Sequence, residues 1–273
     1  MPPVLRLAPL ALVLAACATT PPETLGPPAK ETIHAVTASG QLLSFNAGQP
    51  QRILAKRPLA GLRAGDRLVG IDYRVAKGQL FGLGASGQLY RIDAATAAAT
   101  AIGSPVALPE GREFGFDFNP TVDRLRVVSD AGFNLRLHPD TGAVVDSDTA
   151  QAGVQFDGRL AYDSADRMAG HAPRIVAAGY TYSQDNEKIT TNYALDGAAG
   201  MLVHQGTKEG VTPAVSPNTG RLYSVGLLGT GPFERASLDI SDVSNTAYAG
   251  ITAAAGRATR WYRIDLASGR AAF

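Results

Sequence analysis

The chain predicts an all-β fold, a β-propeller of about five four-stranded blades, and three observations carry that expectation. One five-residue strand occurs five times, at Leu42–Asn46 (LLSFN), Leu89–Asp93 (LYRID), Asn134–His138 (NLRLH), Asn192–Asp196 (NYALD) and Trp261–Asp265 (WYRID), with starts 47, 45, 58 and 69 residues apart. A period near 45 residues, with four short strands in each unit, is that of a propeller blade. The stretch Gly70–Thr100 also aligns without a gap on Gly115–Val145, pairing Asp72 with Asp117, Leu80 with Leu125 and Gly87 with Gly132. Finally, no long helical pattern interrupts the alternating segments, each closed by a Gly, Asn or Asp turn.

From the N-terminus, residues 1–16 read as a signal peptide. One arginine precedes the apolar run Leu7–Ala16, which is too short to span a bilayer. The string Leu14-Ala15-Ala16-Cys17 resembles the lipobox of bacterial lipoproteins, in which the cysteine takes a diacylglyceryl thioether, becomes the N-terminus and is N-acylated. Cys17 is the only cysteine, so no disulfide or thiolate cluster competes for it. Two acyl chains already anchor stably. Ala18 stands where an aspartate would mark inner-membrane retention, so an outer-membrane lipoprotein facing the periplasm or cell surface is expected. An ordinary secretory signal is the plainer alternative. Residues 17–30 hold four prolines and read as a tether, which leaves 31–273 as the propeller-like domain.

Within that domain the first unit shows no innermost strand before Ile33, so its blade reads as three-stranded or the ring as imperfectly closed. The second unit supplies Leu68–Tyr73, Gln79–Leu83, Gln88–Asp93 and Ala98–Gly103, and the third repeats it. The fourth is stretched, with a long strand at Arg174–Ser183 and a Gly/Pro-rich excursion over Val203–Arg235, of a length that is usually functional or disordered. GFDFNPTVDRLRVVSDAGFNLRLHPDTGAV (Gly115–Val144), with the second unit before it and TAYAGIT and WYRIDLASG near the C-terminus, resembles a bacterial family of secreted repeat proteins, DUF4394. The likeness runs from about Glu31 to Phe273. It implies a secreted repeat protein and brings no activity with it.

Several function classes are disfavoured by the residues themselves. Without Arg6 the chain carries 24 basic and 24 acidic residues and no basic patch, so no nucleic-acid partner is expected. Gly82–Gly87 fits the letters of a dinucleotide fingerprint, but a strand follows where that motif needs a helix; no cofactor is expected. His34, His138, His171 and His204 lack zinc-pair spacing, and no serine sits in a nucleophile elbow, so neither a metal ligand nor a catalytic residue is assigned. Asp72, Asp117, Asp163 and Asp239 each follow an apolar or aromatic residue of a first strand. Such a carboxylate ring at a channel mouth could take a hard cation, although acceptance of backbone N–H groups from local turns is the plainer reading.

Strand parity singles out the third unit. With a three-residue turn Asp130-Ala131-Gly132, Ser129 faces Phe133, Arg126 faces Arg136 and Leu125 faces Leu137; an even turn would mix leucine with arginine on both faces. The second unit is apolar on both faces, whereas in the third Arg126 stands for Phe81 and Asn134 for Leu89. Polar groups on a packed face need partners, and Asp117 and Asn119 are the expected ones. The candidate ligand-binding set is Asp117, Asn119, Arg124, Arg126, Asn134 and Arg136, beside the Val203–Arg235 excursion. It reads either as an inter-blade salt-bridge network or as a crevice whose guanidinium forks receive a carboxylate or sulfate-like ligand. Arg136 recurs as Arg91 and Arg263 in other blades, which favours the network. The expected function is a lipid-anchored envelope binding module for a small anionic ligand or an envelope protein. The alternatives are a hydrolase- or lactonase-like propeller enzyme using the axial aspartates, and a purely structural envelope lipoprotein.

Overall fold

A computed structural model of the protein describes residues 25–183, 185–186, 188–253 and 258–273; the expected signal peptide, Cys17 and the start of the tether lie outside them. The fold is all-β, five small sheets arranged as a five-bladed propeller. Blade 1 holds β1 (Thr32–Val36), β2 (Gln41–Asn46) and β3 (Gln49–Pro58). Blade 2 holds β4 (Leu68–Arg74), β5 (Gln79–Gly84), β6 (Leu89–Ile92) and β7 (Ala99–Ile102). Blade 3 holds β8 (Phe114–Asn119), β9 (Arg124–Ser129) and β10 (Asn134–Leu137). Blade 4 takes β11 (Ala161–Tyr162), β12 (Ile175–Tyr180), β13 (Asn192–Asp196), β14 (Met201–Gln205) and β15 (Arg221–Leu227). Blade 5 closes the chain with β16 (Phe233–Ile240), β17 (Ala247–Ala253), β18 (Arg260–Ile264) and β19 (Ala271–Ala272).

Only blades 2 and 5 have the expected four strands. Blade 1 lacks an inner strand among the described residues: Ala38-Ser39-Gly40-Gln41-Leu42 repeats Ala85-Ser86-Gly87-Gln88-Leu89, so β1 and β2 match β5 and β6, the second and third strands of blade 2. In blade 3 the fourth strand shrinks to a single bridge, Leu137 to Val144, because the following residues leave the sheet. Blade 4 departs most. The repeated NYALD strand, β13, sits second rather than third, since β12 leads to it with no strand between. The Val203–Arg235 excursion is largely ordered into β15 and a 3-10 turn, Pro217–Thr219, and β11 adds to β15 in parallel as a fifth strand.

Alternation along the strands gives most blades two apolar faces, and these meet in four clusters. Leu42 packs with Leu80, Tyr90 and Ile92 between blades 1 and 2. Phe81, Leu83 and Leu89 meet Phe116, Phe118 and Leu125 between blades 2 and 3. Val128 joins Leu160, Ile175 and Val203 between blades 3 and 4, and Val176, Leu195 and Leu202 meet Leu238, Ile240 and Ile251 between blades 4 and 5. Each such side chain contributes about 1.5–3 kcal/mol by leaving water. Inner strands approach closely enough to require glycine. A Cβ on Gly70 would come within 2.4 Å of Phe116 Cβ, and one on Gly115 within 2.7 Å of the Ala178 nitrogen.

Between blades 5 and 1 the ring closes with aromatic and polar contacts. Trp261 meets Phe45 edge-on at 5.1 Å, stacks on Tyr248 at 5.6 Å and donates its indole N–H to Ala47 O at 3.1 Å. The buried Glu31 carboxylate accepts from Ser244 Oγ, from Tyr248 OH at 3.1 Å and from Ser241 Oγ at 3.2 Å. Burial pushes this carboxyl up, but these hydrogen bonds outweigh it and hold the pKa below the usual carboxylate range. A depressed folded pKa means stability that is present above the unfolded value and lost as pH falls through the folded one. Glu31→Gln is therefore expected to cost about 1.5–3 kcal/mol at pH 7 and to blunt acid sensitivity near pH 4, as read by urea denaturation at both pH values.

Candidate functional site

The parity expectation for the third unit holds. Arg126 pairs with Arg136 and Leu125 with Leu137 across β9 and β10, while Ser129 N donates to Phe133 O at 3.0 Å. Arg126 is 2% exposed, and its guanidinium meets acceptors on three sides. Nε donates to Tyr180 OH at 2.9 Å, Nη1 to Asn134 Oδ1 at 2.6 Å and to Asp157 Oδ2 at 2.8 Å, and Nη2 to Asn218 Oδ1 at 2.6 Å. Arg136 grips the same carboxylate with both forks at 2.8 Å. Asn134 donates in turn to the carbonyls of Gly158 and Pro217. The seam therefore ties blade 3 to the inner strand of blade 4 and to the Pro217–Thr219 turn.

Two arginines share one fully buried aspartate here, so the seam keeps a net positive charge. Arg124 adds to it: its Nη1 donates to the Asp123 carbonyl at 2.9 Å and its other nitrogens have no acceptor among the described residues. All three arginines line a cavity of about 330 Å³ with Asn119, Tyr180 and Asn218. Asn119 lies at its rim with Oδ1 engaged by Thr121. Both readings of the sequence are thus present in one place. Arg126 belongs to a network, while Arg124 and Arg136 also border open space.

Asp117 does not join them. Although it lies opposite Arg126 in the sheet, its carboxylate accepts the Tyr180 N–H at 3.1 Å and turns to the central channel. Asp72 behaves alike, accepting Tyr73 N–H and Phe118 N–H, both at 2.7 Å. Each carboxylate thereby caps the inner strand of the next blade. Asp239 completes a cluster in which the three offer oxygens within 4.8 Å of one another. Burial first, then mutual repulsion, pushes Asp72 and Asp117 well above the carboxylate range; Asp239, though open to channel water, is desolvated by the surrounding walls and, with Asp242 beside it, is pushed up to about 6. A hard cation or an ammonium group placed there would relieve the repulsion.

Asp163, expected in this ring, is not part of it. Residues 161–162 form the outermost strand of blade 4, and Asp163 meets Arg221 at 3.5 Å and Tyr223 OH at 3.2 Å on the outside. Gly179, before Tyr180, takes the equivalent inner position. Sequence reasoning also missed Asp157, Tyr180 and Asn218. Asp157 lies between strands, where parity says nothing, and Asn218 was marked only by its Pro-Asn-Thr-Gly turn. Of the Gly82–Gly87 stretch, Gly82–Gly84 end β5 and Gly84–Gly87 form the hairpin turn that leads to β6.

These features define a five-bladed β-propeller with an acidic channel and a basic pocket between two blades. The chain belongs to the family described as Domain of unknown function (DUF4394), whose model matches residues 41–273. No curated protein matches it by sequence. Among solved structures, a glutaminyl cyclase of Myxococcus xanthus is similar over 86% of this chain and 88% of its own, with TM-score 0.50 and 12% identity. A putative 6-phosphogluconolactonase of Bacteroides uniformis is similar over 87% of this chain and 64% of its own, with TM-score 0.37 and 12% identity. At such identity the likeness concerns the fold alone.

The carboxylate cluster sets a pH dependence opposite to that of Glu31. A raised folded pKa gives stability that is complete at low pH and lost as pH rises through the folded value, here about 6 for Asp239. Asp239 opens to channel water, so Asp239→Asn should stabilise by no more than about 1 kcal/mol at pH 8 and by next to nothing at about pH 3, below the unfolded aspartate pKa. Urea midpoints at the two pH values check this.

Proposed function

We propose that the protein is a lipid-anchored binding module of the cell envelope that captures a small anion, a carboxylate or sulfate-like group, in the cavity between blades 3 and 4. The single observation behind this reading is the charge imbalance at the cavity wall: Arg124, Arg126 and Arg136 line it, and the buried Asp157, shared by Arg126 and Arg136, is the one carboxylate paired with them among the described residues. Guanidinium groups bind planar oxyanions by paired N–H donors, and Arg126, fixed by its acceptors, holds Arg136 in place through their common aspartate. The Cys17 anchor rests on the lipobox-like sequence and would place this pocket at a membrane surface.

Titration calorimetry with citrate and with sulfate is the direct test. Arg124→Gln leaves the Asp157 network untouched, so it should weaken binding about tenfold, the worth of a charge-assisted contact, while the thermal midpoint stays within about a degree of the parent, as for a surface substitution. Arg126→Ala should instead cost about 3–5 kcal/mol, because it opens a cavity at a buried site and leaves Asn134, Tyr180 and Asn218 without their donor, although Arg136 still pairs Asp157. Absence of heat with both anions would overturn the anion reading. For the anchor, Cys17→Ser is expected to move the protein from the membrane fraction to the soluble envelope fraction and to abolish palmitate labelling.

A further inference from the structure

Among the described residues blade 1 has no inner strand, which leaves a backbone edge of β1 toward the central channel. Within the β1–β2 hairpin, Thr37 N donates to Gln41 O at 2.9 Å and Ala47 N to Glu31 O at 3.1 Å. Hydrogen-bonded pairs alternate along an antiparallel ladder, so Glu31, Ile33, Ala35 and Thr37 bond to β2. The N–H and C=O groups of Thr32, His34 and Val36 point the other way. In blade 2 the equivalent groups of β5 are taken by β4, but β1 is an edge of its sheet, with no partner on that side among the described residues.

Burial records the same vacancy. Leu80, Phe81, Gly82 and Leu83 of β5 are all buried, whereas Ile33, His34, Ala35 and Val36 are only half-buried although they lie inside the ring. The residues of β1 face a cavity of about 210 Å³ whose other walls are the inner strands β4, β8, β12 and β16 and the rings of Tyr248 and Trp261. Apart from Asp239 at the acidic end, the inner-strand walls are small or apolar, including Gly70, Gly115, Ala177, Ala178 and Ala236. At one end of β1, Thr32 and His34 share the channel mouth with Asp72, Asp239 and Asp242; among the described residues Lys30 is the one lysine or arginine lining that mouth. The cavity and the acidic mouth are therefore adjoining parts of one passage.

An added strand antiparallel to β1 would run as the other inner strands do, toward the mouth, and its last residue would arrive at the carboxylates. Extended backbone rises about 3.3 Å per residue, so four to five residues cover β1. We propose that the inner edge of β1 is a strand-addition site for an extended segment of a partner protein, small or apolar along its length and ending in a lysine or arginine that meets Asp72, Asp117 and Asp239. Main-chain hydrogen bonds supply the grip, as in β-augmentation generally, and the terminal cation supplies selectivity. This site is independent of the arginine-lined cavity.

The test uses a five-residue peptide of alternating alanine and valine ending in lysine, blocked at both ends and carrying a fluorophore on its N-terminal side. Fluorescence anisotropy with the full chain should show saturable binding, and the same peptide ending in glutamate should bind at least about tenfold more weakly, one charge-assisted contact being worth that much. N-methylation at alternate residues should abolish binding by removing the ladder donors. Asp239→Asn, which keeps the fold, should weaken the lysine peptide, and Arg124→Gln should leave it unchanged. Equal binding of the lysine and glutamate forms, binding that survives N-methylation, or no binding of either form would overturn the proposal; the last result would leave the edge to water or to residues 1–24 of this chain.

Discussion

A ring of sheets is stable only if both faces of every sheet are covered, because each blade is a neighbour's wall. This constraint organises the molecule. Four interfaces meet it with clusters of leucine, isoleucine, valine and phenylalanine. Glycines at the inner strands allow the approach that those clusters need. Where the apolar covering gives out, something else takes its place, and both candidate binding regions lie at such positions.

At the blade 3–4 interface the substitute is charge. Arg126 occupies the place that Phe81 fills in blade 2, and a guanidinium can be buried there because Asp157, Asn134, Tyr180 and Asn218 meet its donors. Such a network adds little net stability compared with a well-packed apolar face. What it provides is a fixed geometry and a positive surplus beside open volume. At the blade 5–1 junction the substitute is a belt of hydrogen bonds on Glu31 and the stack of Tyr248 on Trp261, and no inner strand of blade 1 occurs among the described residues. The channel is consequently lined on one side by β1, whose inner edge has no ladder partner among those residues.

Repetition made the ring legible, and parity made the third blade's anomaly legible. Once Asp130-Ala131-Gly132 was read as the turn, Arg126 and Arg136 had to face each other, because any other register would bury arginine among leucines. Parity failed wherever side chains answer to a different blade. Asp117 shares a sheet face with Arg126 but is drawn to the Tyr180 N–H on the inner strand of the next blade. Asp157 comes from a connection with no period of its own, so its role as the common carboxylate had no sequence signal. Blade 4 misled for a related reason: its repeated strand moved inward by one place, which sent Asp163 outward and left Gly179 at the channel.

Among the described residues blade 1 presents an unfilled inner edge, which sets this ring apart from one with five complete blades. Residue-resolved amide hydrogen exchange of the full chain measures it directly. The account predicts alternation along β1: slow exchange at Ile33, Ala35 and Thr37, bonded to β2, and fast exchange at Thr32, His34 and Val36, with no such alternation along β5. Uniform protection of all six β1-region amides would contradict it, because it would mean that the edge is already paired.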